Sequence, residues 1–210
     1  MRSLSSMSFR LILLSLFLCC SFGAHASDRA GNQAGNQAVN RAGELADTLR
    51  SPGYLLLMRH AYAPGVGDPA AYRLDECATQ RNLDAQGLAQ AARTGAWLKR
   101  QGVDQALVYS SIWCRCRDTA KALELGSVDV EPSLASFFDQ PEQARASTEA
   151  LSRFIARMMK SKGDRALILV THHVNIRAFA GPDIGSGDMV LVKVDAQGRA
   201  TSHVLYPSPP

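Results

Sequence analysis

The chain has 210 residues, 46% hydrophobic and 20% charged, which suits one domain with a sizeable core and excludes a disordered polymer. The formal net charge is +4; removing Arg2 and Arg10, which lie in an N-terminal segment expected to be cleaved, leaves about +2. That bias is weak, and no basic run with interleaved aromatics appears, so nucleic acid is not an expected partner.

Arg2 and Arg10 precede or begin an apolar run, Leu11 to Leu18, and Ala24-His25-Ala26 presents small residues on either side of His25. Charge, short apolar core and small-x-small site predict a signal peptide over residues 1–26, cleaved after Ala26. The apolar run is too short to span a bilayer, and no later stretch is long enough, so no stable membrane insertion is expected after cleavage. Cys19 and Cys20 follow Leu18 and Cys19 rather than a small residue, which disfavours a lipoprotein signal. The expected location is periplasmic or secreted.

Residues 27–50 read as a low-complexity linker, since Gly31-Asn32-Gln33-Ala34 recurs as Gly35-Asn36-Gln37-Ala38. A short helix over residues 41–50 is the competing reading of its last part. From residue 51 a globular domain is predicted to run to residue 210. Tyr54–Met58 is a short apolar run after Pro52-Gly53, a buried strand. Pro64, Gly65, Gly67 and Pro69 make residues 61–82 a long loop. Helical periodicity follows over Asp84–Gln101, closed by Gly102. A strand over Ala106–Ser110, a helix over Trp113–Leu125 and a short strand over Val128–Val130 come next. A long amphipathic helix is expected over Pro141–Lys160. Ala166–Thr171 is almost continuously apolar, a central strand covered on both faces. Met189–Asp195 and Ser202–Tyr206 flank Ala196-Gln197-Gly198-Arg199, a hairpin. Alternating strands and helices predict an α/β fold, a three-layer α/β/α sandwich with a largely parallel central sheet.

In such sheets functional groups gather at the carboxyl ends of strands. The first strand ends in Met58-Arg59-His60-Ala61, the second in Ser110-Ser111 with Arg115 close behind, and the central one in Thr171-His172-His173. Two histidines and two arginines from three segments therefore converge on one rim. Guanidinium forks match the oxygens of a phosphate monoester, and a neutral imidazole can attack phosphorus. A second histidine can serve the phosphoryl oxygens as charge shifts. These cations supply the electrostatics, so no metal and no cofactor is expected. Arg81 fits equally a phosphate ligand or the partner of a nearby carboxylate. His173, Arg117, His203 and Trp113 read as structural or surface residues, and Gly185-Ser186-Gly187-Asp188 as a turn.

Leu57-Met58-Arg59-His60-Ala61, the block Ser110 to Ala120 containing Arg115, and Val170-Thr171-His172 together resemble the histidine phosphatase, or phosphoglycerate-mutase-like, superfamily over nearly all of residues 53–192. The resemblance implies that fold, with Arg59 and Arg115 as phosphate ligands, His60 as nucleophile and His172 as second catalytic histidine. Cys77-Ala78-Thr79-Gln80-Arg81-Asn82-Leu83 and the stretch from Val170 to Ile176 look like an exported bacterial branch that includes phosphatases of lipopolysaccharide core heptose phosphates. Many members carry a glutamate after the third strand that protonates the leaving group. Ser136 lies near its place here, and Asp139 is the nearest carboxylate that can substitute, ahead of Glu142.

The expected activity is that of an exported phosphatase acting on phosphate monoesters, small molecules or glycans, through a phosphohistidine intermediate. A non-catalytic phosphate or phosphoglycan binder and a phosphomutase are the alternatives. Export permits disulfides, and signal cleavage leaves Cys77, Cys114 and Cys116, so at most one internal pair forms. Cys114 and Cys116 are too close along a helix start to bridge without strain. The expected bridge is Cys77–Cys114, pinning the 61–82 loop beside Arg115. A Cys77–Cys116 bridge and three reduced thiols are the other outcomes.

Overall fold

The computed structural model describes residues 43–210. The predicted signal peptide and residues 27–42 of the predicted linker lie outside them. Within the described part, the linker assignment fails over its last eight positions. Residues 43–50 form a helix, α1, whose Leu45, Ala46 and Leu49 are buried in the core. Their spacing puts them on one helix face, and that apolar face is what the repetitive segment before it lacks. The domain therefore starts by residue 43 rather than at Ser51.

Six strands follow: β1 (Tyr54–Arg59), β2 (Ala106–Ser110), β3 (Val128–Val130), β4 (Ala166–Thr171), β5 (Met189–Val194) and β6 (Ala200–Tyr206). They make one sheet in the order β3-β2-β4-β1-β5-β6. β3, β2, β4 and β1 are parallel, while β5 and β6 run antiparallel as the predicted hairpin. The remaining helices are α2 (Ala85–Arg100), α3 (Cys114–Ala122), α4 (Ala144–Ser161) and α5 (His173–Ala180).

Side-chain alternation along the strands divides the interior in two. Leu56, Met58, Ile168 and Val170 point to one face and pack with α1, α2 and α3. Leu55, Leu57, Leu167 and Leu169 point to the other and pack with Leu151, Phe154 and Ile155 of α4 and Ile176 of α5. These two cores are the two interfaces of a three-layer α/β/α sandwich. β4, buried at all six positions, is its centre, as its unbroken apolar run predicts.

Local chemistry seats the helices. The Asp84 carboxylate caps α2 by accepting the Gly87 N–H at 2.8 Å. At Gly95, a Cβ would collide with the backbone of Leu123, so only glycine lets α2 approach the end of α3 this closely. α4 is preceded by a 3-10 turn, Pro141–Gln143, inside the predicted helix. α5 has no counterpart in the sequence prediction: it spans only eight residues, too few for a clear apolar period. Lys162, just past α4, is 1% exposed. Its ammonium donates to the carbonyls of Leu49 at 2.9 Å and Arg50 at 3.2 Å, and to those of Gly163 and Arg165, tying α1 to the end of α4. Among the described residues, no helix is long and apolar enough to cross a membrane.

Candidate active site

The carboxyl ends of β1, β2 and β4 form one rim. The His60 N–H donates to Thr171 O at 3.0 Å and the Ser111 N–H to Val170 O at 2.9 Å, so backbone bonds extend the sheet into the site. The next peptide is anchored to α3: the Ala61 N–H donates to Thr119 Oγ1 at 2.9 Å, and that hydroxyl donates to Arg115 O at 2.7 Å. Thr119 thereby couples the turn carrying His60 to the helix carrying Arg115.

His60 is 2% exposed, and its Nδ1 lies 2.8 Å from Ala61 O. A carbonyl only accepts, so Nδ1 carries the hydrogen and Nε2 holds the lone pair. Burial pulls the His60 pKa down to about 3, against the Ala61 bond, and the charges of Arg115, Arg59 and Arg81 lower it further. The ring is therefore neutral at any ordinary pH. His172, the N-cap of α5, meets it edge-on with ring centroids 5.5 Å apart. His172 Nε2 lies 2.9 Å from Ser111 Oγ and 3.4 Å from Cys116 Sγ, and Trp113 packs edge-on at 5.3 Å. Burial first, then His60 and Arg115, hold the His172 pKa well below the ordinary imidazole value.

Three guanidiniums line the pocket: Arg59, Arg81 and Arg115. Arg59 Nη1 donates to Ile184 O at 2.8 Å, and Arg81 donates to Gly67 O and Ala63 O. Arg81 thus lines the site without pairing its guanidinium to a carboxylate. The Nε–H groups of Arg59 and Arg115 are buried and have no acceptor among the described residues. The pocket encloses about 80 Å³, room for a phosphoryl group and little more.

Asp139 is exposed on the pocket wall, close to Ser136, Phe138 and His173. His173 packs on the Phe138 ring at 5.7 Å and so stands at the site, with its pKa lowered by burial and then by Arg59. Cys77 and Cys114 are joined, Cα atoms 5.7 Å apart, as expected. Cys116 is buried and free, and burial pushes its thiol up to about 12. Among the described residues, no group of three or more histidines, cysteines or carboxylates is arranged to hold a metal ion.

The sequence reading passed over Asp68. Its carboxylate is 4% exposed, lines the pocket, and accepts from Arg115 Nη1 at 2.9 Å, the Arg81 N–H at 2.9 Å and Trp113 Nε1 at 3.2 Å. Burial works to raise its pKa, but the bonds from Arg115, Arg81 and Trp113 hold it below the usual carboxylate value. The visible signal was a carboxylate bracketed by Gly67 and Pro69 in the loop leaving the nucleophile. Ser111 and Thr119, in the segment from Ser110 to Ala120 that also holds Arg115, likewise carry no sequence signal of their bonds to His172 and the Ala61 N–H.

The model of the histidine phosphatase superfamily (branch 1) matches residues 55–137, a span containing Arg59, His60, Arg81 and Arg115. The protein histidine phosphatase SixA, complexed with tungstate, is a solved structure similar to this chain at 19% identity. The likeness covers 74% of this chain and 97% of that one, with a TM-score of 0.54. A native mycobacterial glucosyl-3-phosphoglycerate phosphatase is similar at 17% identity, over 74% of this chain and 97% of that one, with a TM-score of 0.53. A comparison with curated proteins found no match. Over residues 55–137, which hold the first two blocks of the site, the chain is similar to the histidine phosphatase superfamily, and most of its described length shares the fold of these phosphatases.

Proposed function

We propose that this protein is a phosphatase that hydrolyses phosphate monoesters through a phosphohistidine on His60. The observation that carries the reading is the pair of buried, acceptor-free Nε–H groups on Arg59 and Arg115 in the pocket that His60 lines. Pocket-lining guanidiniums that keep donors without a protein acceptor suit the oxygens of a phosphoryl dianion.

His60 Nε2 attacks phosphorus and the P–O ester bond breaks, leaving the phosphoryl group on nitrogen. The leaving oxygen takes a proton, for which Asp139, a carboxyl lining the pocket, is the proposed donor. Water then attacks the phosphohistidine and returns a proton to the Asp139 carboxylate, the P–N bond breaks, and phosphate departs with His60 neutral again. His172 orients the phosphoryl oxygens, held by Ser111.

A pocket this small has little room to retain an organic intermediate, which supports hydrolysis over a mutase. The signal peptide predicted over residues 1–26 and the Cys77–Cys114 bridge support a periplasmic or secreted location. The stretches around Cys77 and Val170 support a phosphorylated glycan as substrate, with lipopolysaccharide core heptose phosphate the first to screen.

The test is phosphate release from an aryl phosphate in the presence of a strong chelator, with a search for acid-labile phosphate on the protein. Turnover with label on His60 supports the reading. Tight phosphate binding without turnover would instead favour a binding module.

A further inference from the structure

Asp68 is an odd occupant of a phosphate site. The pocket has to attract a dianion, yet it holds a buried carboxylate engaged by three donors from two separate segments. Trp113 and Arg115 come from the start of α3, and Arg81 from the end of the 61–82 loop. The position is firmly built. Arg81 bonds back to Ala63 and Gly67, Gln80 Oε1 accepts the Cys114 N–H at 3.0 Å, and the Cys77–Cys114 bridge closes the same seam. Asp68 therefore does not swing freely, and its charge is a fixed property of the site.

Three pocket arginines oppose two pocket carboxylates, Asp68 and Asp139. Asp139 is exposed and screened by water, whereas Asp68 is 4% exposed and paired at 2.9 Å with the Arg115 guanidinium. The charge Asp68 cancels is one a second anion on the substrate would otherwise use.

We propose that Asp68 is a specificity-determining residue: by neutralising Arg115 at the pocket wall, it makes the site select monoesters whose leaving group carries no negative charge of its own. This rests on the phosphatase reading and names the substrate class within it. A phosphoryl group still has the Arg59 and Arg81 guanidiniums, which line the pocket and which Asp68 does not pair with. A leaving group with a carboxylate or second phosphate finds the Arg115 charge already cancelled by Asp68, and pays desolvation with one cation fewer in return.

The experiment compares 4-nitrophenyl phosphate with 4-carboxyphenyl phosphate by kcat/KM, in the full protein and in Asp68→Asn and Asp68→Glu. In parallel, calorimetry measures the Kd of phenylphosphonate and 4-carboxyphenylphosphonate, which needs no turnover. Asp68→Asn keeps an oxygen for the Arg81 N–H and Arg115 Nη1 and removes the charge, losing the acceptor of Trp113 Nε1. The expected result is a shift of about tenfold toward the anionic compound in both ratios, with Asp68→Glu close to wild type, as one charge near a partly buried site implies. A purely structural role would weaken both compounds alike, leave the ratio unchanged, and overturn the proposal. If no variant turns over either ester, the phosphatase reading fails, while the phosphonate ratio still decides the part of Asp68.

Discussion

His60 Nδ1 and the Ala61 carbonyl are 2.8 Å apart, and this single bond turns the reactive nitrogen of the ring toward the pocket. The partner is the next residue's own backbone, itself held by Thr119, so nothing in the side-chain network has to move for Nε2 to stay unprotonated. His60→Ala is expected to lose at least about three orders of magnitude in kcat, as when a covalent route is removed. Near-normal turnover of an aryl phosphate by that variant would end the proposal.

Ser111 holds His172 Nε2 at 2.9 Å in a fully buried setting. Ser111→Ala should lower kcat by about tenfold with KM nearly unchanged, the loss expected when an oriented hydrogen bond fails in the transition state. Steady-state kinetics decide it; a change confined to KM would show that Ser111 acts on ground-state binding alone.

Asp139→Asn should slow esters with poor leaving groups far more than aryl phosphates with good ones, because only the former need the proton. A plot of log kcat/KM against leaving-group pKa should steepen in the variant. Parallel plots would remove Asp139 from the mechanism.

Stability should fall with acid in a defined window. The His60 pKa is about 3 in the fold and about 6.5 in the unfolded chain. Between those values the unfolded chain binds a proton that the fold does not, so stability rises with pH there and is lost as pH drops below about 6.5. His172, also lowered, adds to the same slope. Asp68, held below the usual carboxylate value, adds its loss only at still lower pH, below about 4. Melting temperature should be level from pH 7 to 8, decline below about 6.5, and decline less steeply in His60→Asn. Equal slopes in both proteins would show that His60 does not contribute.

The Cys77–Cys114 bridge spans 37 residues, and by chain entropy it should stabilise the domain by about 4 kcal/mol. Cys77→Ser should lower the melting temperature and loosen the 61–82 loop, read as faster amide exchange there while β4 stays protected. Unchanged exchange across that loop would mean that Arg81 and Gln80 hold it without the bridge.

How far the site was legible follows from where each residue sits. Arg59, His60 and His172 end apolar runs that can only be buried strands, and Arg115 follows one such run closely, so their meeting on one rim is written in the pattern. Asp68 lies in a glycine- and proline-rich loop without periodicity. Its place depends on three long-range bonds that no local rule anticipates. α1 was hidden differently: Leu45, Ala46 and Leu49 form a face too brief to stand out beside repetitive sequence, and the Lys162 ammonium that holds its carbonyls lies far along the chain.

That lysine decides how short a folding fragment can be. A chain cut to begin at Ser51 would remove the Leu49 and Arg50 carbonyls and leave a buried ammonium with half its acceptors gone. It would also strip α1 from a core that Leu45, Ala46 and Leu49 help to seal. A trypsin-like protease acting after Arg50 should therefore find that bond resistant while the domain is folded. The proteolytic boundary of the domain is guarded by a residue 112 positions downstream of the cut.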